Sequence, residues 1–237
     1  MNHQIAVLLM AITLTSGSVR AQTVNLVLDA KATLGEGALW HPLEQQLYWV
    51  DIEGKLLHIY DPASGKDREL PTGEKVGTVV PVQGGGALVA LQNGIHKIDT
   101  RSGELAFLAG PEKDPGIRFN DGKCDPAGRL WVGTIAGQNE AALYRVDNDG
   151  QVHLVLDSIT CSNGIVWTAD KKTMYYTDTP TSNIMAFDYD DNTGAISNPR
   201  VVIRVPPEMG FPDGMAIDEE DKLWVAQWGG GCVVRWD

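Results

Sequence analysis

The sequence predicts an all-β fold, a β-propeller, and three observations carry that prediction. A polar residue followed by glycine and a short apolar strand recurs along the chain. The repeat glycines Gly37, Gly77, Gly122, Gly164 and Gly214 stand about 40–50 residues apart, the period of a four-stranded propeller blade. No segment beyond residue 21 shows a helical period. Repeated groups of four strands with regular turn signals and no helices favour a propeller over a sandwich.

Taken in order, the repeats read as follows. Leu34–Asp51 is LGEGALWHPLEQQLYWVD, and a fainter copy, VGTVVPVQGGGALVAL, surrounds Gly77. Arg118–Thr134 is RFNDGKCDPAGRLWVGT, Ser162–Asp178 is SNGIVWTADKKTMYYTD, and Pro212–Trp228 is PDGMAIDEEDKLWVAQW. In each, one apolar strand leads into a turn rich in Pro, Asp, Lys or Gly, and a second apolar strand follows. Hairpins complete the repeats: LLHIYDPASGK, GIHKIDTRSGE, ALYRVDNDGQ and NIMAFDYDDNTGA. They alternate apolar and polar residues and turn at Asp/Asn-Gly or Ser-Gly.

The amino terminus stands apart from this pattern. Ile5–Leu14 is an apolar run, shorter than the roughly 20 residues that span a bilayer. Val19-Arg20-Ala21 fits a small-x-small cleavage site. Residues 1–21 are therefore expected to be a signal peptide, with a single domain over residues 22–237 and a secreted or periplasmic protein. No later segment is apolar enough to cross a membrane. The net charge of −12 argues against a nucleic-acid partner, because a phosphate backbone needs a Lys/Arg surface. Three cysteines, Cys124, Cys161 and Cys232, cannot close a disulfide framework. The sequence fixes neither their pairing nor the oligomeric state.

The first strand of each blade lies nearest the propeller axis, so residues at one phase of the repeat form a ring. Glu36, Asn120 with Asp121, Asn163 and Asp213 all stand just before a repeat glycine and are expected at one mouth of the central channel. Glu36, Asn163 and Asp213 offer two carboxylates and an amide oxygen. Such a hard-oxygen set suits one divalent cation: Ca²⁺ first, with Mg²⁺, Mn²⁺ or Zn²⁺ as alternatives and Zn²⁺ less favoured without His or Cys. Three protein ligands leave positions open for water or substrate. Arg118, two residues before Asn120, could hold an anion, a hydroxyl-rich ligand or a developing oxyanion. Against this, Asp and Asn before Gly are ordinary turn residues.

The motifs LGEGALWHP, RFNDGKCDPAGRLWVGT, SNGIVWTADKKTMYYTDT and FPDGMAIDEEDKLWVAQWGG resemble the SMP-30/gluconolactonase/LRE family, from about Leu34 to the last residue. The resemblance implies a six-bladed propeller that hydrolyses sugar lactones with one divalent cation. It implies Glu36, Asn163 and Asp213 as metal ligands, Asp213 also as the general base, and Arg118 and Asn120 as substrate contacts. In the loop TIAGQNEAA, Gln138 occupies the place where better-known members carry a carboxylate that helps hold the sugar. The family also continues by about one to one and a half repeats past a point like Asp237, so about five blades are expected here, incomplete at the carboxyl terminus. The expected function is metal-dependent hydrolysis of a sugar lactone to its aldonic acid. The alternative is a non-catalytic propeller that binds calcium or another ligand. No GxSxG elbow supports a serine esterase.

Other features carry blander readings. DYDDNTG (188–194) places its Gly one position late for an EF-hand loop and reads as a hairpin turn. Trp40, Trp49, Trp131, Trp167 and Trp224 are expected to pack between blades. His41, His58, His96 and His153 show no ligand spacing, and His41 is expected at a surface or strand end. Cys124 and Cys161 read as small buried residues rather than nucleophiles.

Overall fold

The computed structural model describes residues 25–237, so the signal peptide expected over 1–21 lies outside the described residues. The chain divides into a unit ending at Lys31 and a β unit, Ala32–Asp237. Residues 25–31 carry no regular secondary structure. All the strands belong to the second unit.

Among the described residues, nineteen strands form five antiparallel sheets in chain order. The first holds β1 (Gly35–His41), β2 (Gln46–Asp51), β3 (Leu56–Asp61) and β4 (Lys66–Pro71). The second holds β5 (Val76–Pro81), β6 (Ala87–Leu91), β7 (Gly94–Ile98) and β8 (Leu105–Ala109). The third holds β9 (Arg118–Cys124), β10 (Leu130–Ile135), β11 (Ala141–Val146) and β12 (Val152–Ile159). The fourth holds β13 (Ser162–Trp167), β14 (Thr173–Asp178), β15 (Asn183–Asp190) and β16 (Ala195–Arg204). The fifth is three-stranded: β17 (Phe211–Ile217), β18 (Leu223–Trp228) and β19 (Cys232–Trp236). This is an all-β propeller of five blades. The only helical elements among the described residues are two 3-10 turns, Thr179–Thr181 and Pro207–Met209.

The first strands of the blades touch in order, β1 to β5, β5 to β9, β9 to β13 and β13 to β17. β5 and β13, with a blade on either side, are buried on both faces, because successive side chains of a strand point to opposite sides. Val79 packs with Tyr48, Val50 and Leu57 of the first blade, and its neighbour Val80 packs with Phe119, Leu130 and Val132 of the third. Ile165 likewise joins Trp131 and Leu143, while Val166 joins Met215 and Val225. One strand therefore supplies two interblade cores. The outer strand β4, KDRELP, has no second neighbour and is mostly exposed.

The close approach of inner strands depends on the repeat glycines. A Cβ on Gly77 would lie 2.5 Å from the carbonyl oxygens of Phe119 and Asn120, and one on Gly164 would lie 2.6 Å from the Asp213 carbonyl. At these two positions the missing side chain lets the inner strands of adjacent blades lie against each other.

The turns follow the residue chemistry. Asp190 closes DYDDNTG: its carboxylate accepts from Asn192 N at 2.9 Å, and its carbonyl accepts from Gly194 N at 2.7 Å. Trp131 and Trp167 are buried and meet edge to face at 5.7 Å. Trp40 departs from the expected packing role. It is 45% exposed, because it points out of β1 on the face that no described neighbour covers. Trp224 is only half-buried and donates Nε1 to Asp218 at 2.9 Å. His41, His58 and His96 are buried rather than superficial; His41 is still at a strand end, where its Nδ1 accepts from Glu44 N at 3.1 Å.

Gly77→Ala should destabilise the fold by about 1–3 kcal/mol, the usual cost of forcing atoms into a filled space. A denaturant midpoint measured against the wild-type chain checks it.

Candidate functional site

Asn120 is fixed at both ends. Arg118 donates Nη1–H to Asn120 Oδ1 at 2.8 Å, and Asn120 Nδ2 donates to the Ser162 carbonyl at 2.8 Å. Arg118 only donates and a carbonyl only accepts, so these neighbours set the amide orientation. The contact also ties β9 of the third blade to β13 of the fourth. Arg118 Nη1 donates further to the Phe119 carbonyl at 3.0 Å. Its Nε and Nη2 make no hydrogen bond among the described residues, which leaves a donor pair for a ligand.

Asn163 is buried at the start of β13. Its Nδ2 donates to Thr179 Oγ1 at 3.0 Å, and its Oδ1 accepts no hydrogen bond among the described residues. Cys161 Sγ lies 3.8 Å from Asn163 Nδ2 and 3.9 Å from Asn120 Nδ2. Burial pushes the Cys161 thiol up to about 11, so it is a neutral thiol at physiological pH rather than a thiolate ligand.

The acidic residues sense one another across blades. Burial first, then the charges of Asp213 and Asp121, raise the Glu36 pKa to about 7 against the pull of Arg118 and the Gly37 amide. Asp213 is also raised, first by burial and then by Asp121, while the Gly214 amide and the Asn163 side chain oppose the rise. Burial raises Asp121 as well, against the pull of Lys123 and the Gly122 amide. Lys123 is lowered by burial, and Asp121 opposes that. Lys123 Nζ donates to the Met215 carbonyl at 2.9 Å, a link from the third blade to the fifth. Desolvation leads each of these shifts, and at Glu36 and Asp213 neighbouring like charges add to it.

The structure thus brings Glu36, Arg118, Asn120, Asn163 and Asp213 to one end of the inner strands. Gln138 is exposed on the loop after β10 and makes no side-chain hydrogen bond to them among the described residues. Two neighbours were missed in reading the sequence, Lys123 and Thr179. Lys123 was legible in principle, since residues i and i+2 of a strand share a face and so place it beside Asp121. Thr179 becomes a neighbour only through the β13–β14 register, in which Ser162 pairs with Asp178.

The donor set fits a hard divalent cation. Glu36 and Asp213 carboxylates and the uncommitted Asn163 Oδ1 are oxygen donors, with Asp121 nearby. Three carboxylates face two cationic side chains, Arg118 and Lys123, so the site is short of positive charge.

A second group of potential ligand atoms lies on the first blade. His58, Asp67 and Glu69 bring theirs within 4.8 Å of one another. His58 Nδ1 and Asp67 Oδ2, at 2.5 Å, already partner each other, and Trp49 stacks on the imidazole at 3.7 Å. Linear spacing hid this group because it rests on the cross-strand pair His58–Glu69. The three cysteines form no disulfide in the structure. No helix among the described residues is long and apolar enough to cross a membrane.

Comparison with known proteins follows the same residues. Residues 34–237 match the family model described as SMP-30/Gluconolactonase/LRE-like region. A Bacillus subtilis protein named putative sugar lactone lactonase YvrE is 39% identical over 213 residues, 88% of this chain and 73% of its own length. Pentonolactonase XacC of Haloferax volcanii is 38% identical, over 91% of this chain and 74% of its own. Among solved structures, the calcium-binding protein regucalcin of Agrobacterium tumefaciens superposes with a TM-score of 0.83 at 31% identity, covering 87% of this chain and 71% of its own.

The raised Glu36 pKa has a consequence for stability. The folded chain holds that proton more tightly than the unfolded one, so the contribution of Glu36 to the stability of the ion-free protein is full below the ordinary carboxylate pKa of 4.5 and is lost as pH rises through about 7. Urea midpoints in chelator at pH 5 and pH 8 should show the loss, and Glu36→Gln should reduce it.

Proposed function

The chain belongs to the SMP-30/gluconolactonase/LRE-like family and is by class a hydrolase of cyclic carboxylic esters, and we propose that it opens a sugar lactone to the aldonic acid with one divalent cation at the channel mouth. The observation that carries this is the convergence of Glu36, Asp213 and Asn163 from three blades, with Arg118 and Asn120 beside them. Glu36, Asp213 and Asn163 Oδ1 would hold the ion. A bound cation there supplies Lewis acidity toward the lactone carbonyl. The reading favours Ca²⁺, in keeping with the printed description of the regucalcin structure as calcium-binding.

The chain's own residues do the rest. Asp213, raised by burial and by Asp121, is a stronger base than an exposed aspartate and accepts the proton of the attacking water. Water adds to the ester carbon, the ring C–O bond breaks, and the proton passes to the departing alkoxide. Arg118 Nε and Nη2 face the substrate as donors, either to the carbonyl oxygen or to ring hydroxyls. Asn120 gives one N–H to the Ser162 carbonyl, and the other meets only the weak acceptor Cys161 Sγ at 3.9 Å, from which a substrate oxygen would draw it. Gln138, on its exposed loop, is proposed as a contact to the distal part of the sugar.

Two further parts of the reading rest on the sequence. The apolar run near the amino terminus supports export. The five blades suit an arc of the six-bladed ring that the family resemblance implies, and the chain spans about three quarters of the length of the relatives it matches (73% and 74%).

The calcium-binding description of the regucalcin structure also favours a second reading, a propeller that binds the ion without turnover. Acid release from gluconolactone separates the two. The lactonase reading expects a rate that chelator removes and added Ca²⁺ restores. Asp213→Asn should lower that rate at least about 100-fold, the usual range for losing a general base, with an unchanged melting curve. A wild-type rate in Asp213→Asn defeats the mechanism.

A further inference from the structure

We propose that Thr179 is the positioning residue of the cation site, setting both the amide orientation of Asn163 and the placement of Asp213. The inference rests on the cation reading above and adds a residue to it.

Thr179 stands at the end of β14, in the 3-10 turn Thr179–Thr181. Its backbone is held against the fourth blade: Thr179 N donates to the Cys161 carbonyl at 3.0 Å, and the preceding Asp178 carboxylate accepts from Cys161 N at 2.8 Å. From that anchored position the hydroxyl faces two blades. It donates to the Pro212 carbonyl at 2.8 Å and accepts from Asn163 Nδ2 at 3.0 Å.

The order of these bonds is forced. A hydroxyl has one proton, and the Pro212 carbonyl can only accept. Thr179 must therefore spend its proton on Pro212 and present lone pairs to Asn163. Asn163 must answer with its NH₂ group, which turns Oδ1 to the other side of the amide, the side free of hydrogen-bond partners. The Cys161 sulfur, 3.8 Å from Nδ2, is a weak acceptor and agrees with that orientation. The Pro212 carbonyl belongs to the peptide bond that leads directly into Asp213. One hydroxyl thus connects two candidate ligands that stand on different strands, β13 and β17, and restrains both.

Without the hydroxyl, as in Thr179→Val, the carbonyl and the amide each lose a partner. Asn163 can then flip its NH₂ toward the cation, and β17 loses its side-chain tie to the turn. Thr179→Ser keeps every bond.

Calorimetric titration of the ion-free chain with Ca²⁺ alone tests this. Thr179→Val should bind Ca²⁺ about 10–100-fold more weakly, the usual cost of losing a residue that orients a ligand, while Thr179→Ser stays within about threefold of wild type. In an Asn163→Ala background the Thr179→Val effect should shrink to the part that acts through the Pro212 carbonyl and Asp213, since the Asn163 part is already lost. If Thr179→Val fails to fold, Thr179→Ala is read the same way. Wild-type affinity in the hydroxyl-free variant overturns the proposal, as does an effect of equal size in the Asn163→Ala background. Identical Ca²⁺ isotherms for wild type and Glu36→Gln overturn the cation reading itself, a separate outcome.

Discussion

The structure depends on how closely the inner strands approach. At Gly77 and Gly164 the neighbouring backbone lies where a side chain would otherwise be, and the two-sided burial of Val79/Val80 and Ile165/Val166 locks the spacing. Packed interiors do not stretch to relieve local repulsion. Glu36, Asp121 and Asp213 are consequently held near one another in a desolvated place; burial raises all three, and the neighbouring charges raise Glu36 and Asp213 further. A ring of this kind concentrates negative charge without any local motif that spells a metal site.

The polar contacts around the acids are arranged by donors and acceptors with no choice of role. Arg118 can only donate, and the carbonyls of Ser162, Pro212 and Met215 can only accept. Between them sit groups with two faces, the amides of Asn120 and Asn163 and the hydroxyl of Thr179, and the fixed partners decide which face each presents. Three of these links join two blades: Asn120 to Ser162, Thr179 to Pro212, Lys123 to Met215. The polar network that shapes the site is also part of what aligns the blades.

Much of this was legible in the sequence for a physical reason. Circular repetition converts a phase in the sequence into a position in space, so Glu36, Asn163 and Asp213 could be grouped before any coordinates. The repeat glycines marked the strand contacts, and Asp-to-Gly spacing marked the hairpins. Contacts that depend on register across strands were not legible. Thr179 meets Asn163 only because Ser162 pairs with Asp178, and His58 meets Glu69 only because β3 and β4 align as they do. The tryptophans show the same limit. Trp167 and Trp40 each stand three residues after a repeat glycine, yet one is buried and the other 45% exposed, because burial depends on which blade lies opposite.

The central claim is that the mouth of the channel gathers Glu36, Asn163 and Asp213 around one divalent cation. Crystals of the chain soaked in Ca²⁺ test it most directly. The account predicts one site with oxygens of all three residues at about 2.3–2.6 Å, the Ca²⁺–oxygen range. An ion bound instead beside His58, Asp67 and Glu69, or an empty mouth at saturating Ca²⁺, contradicts it.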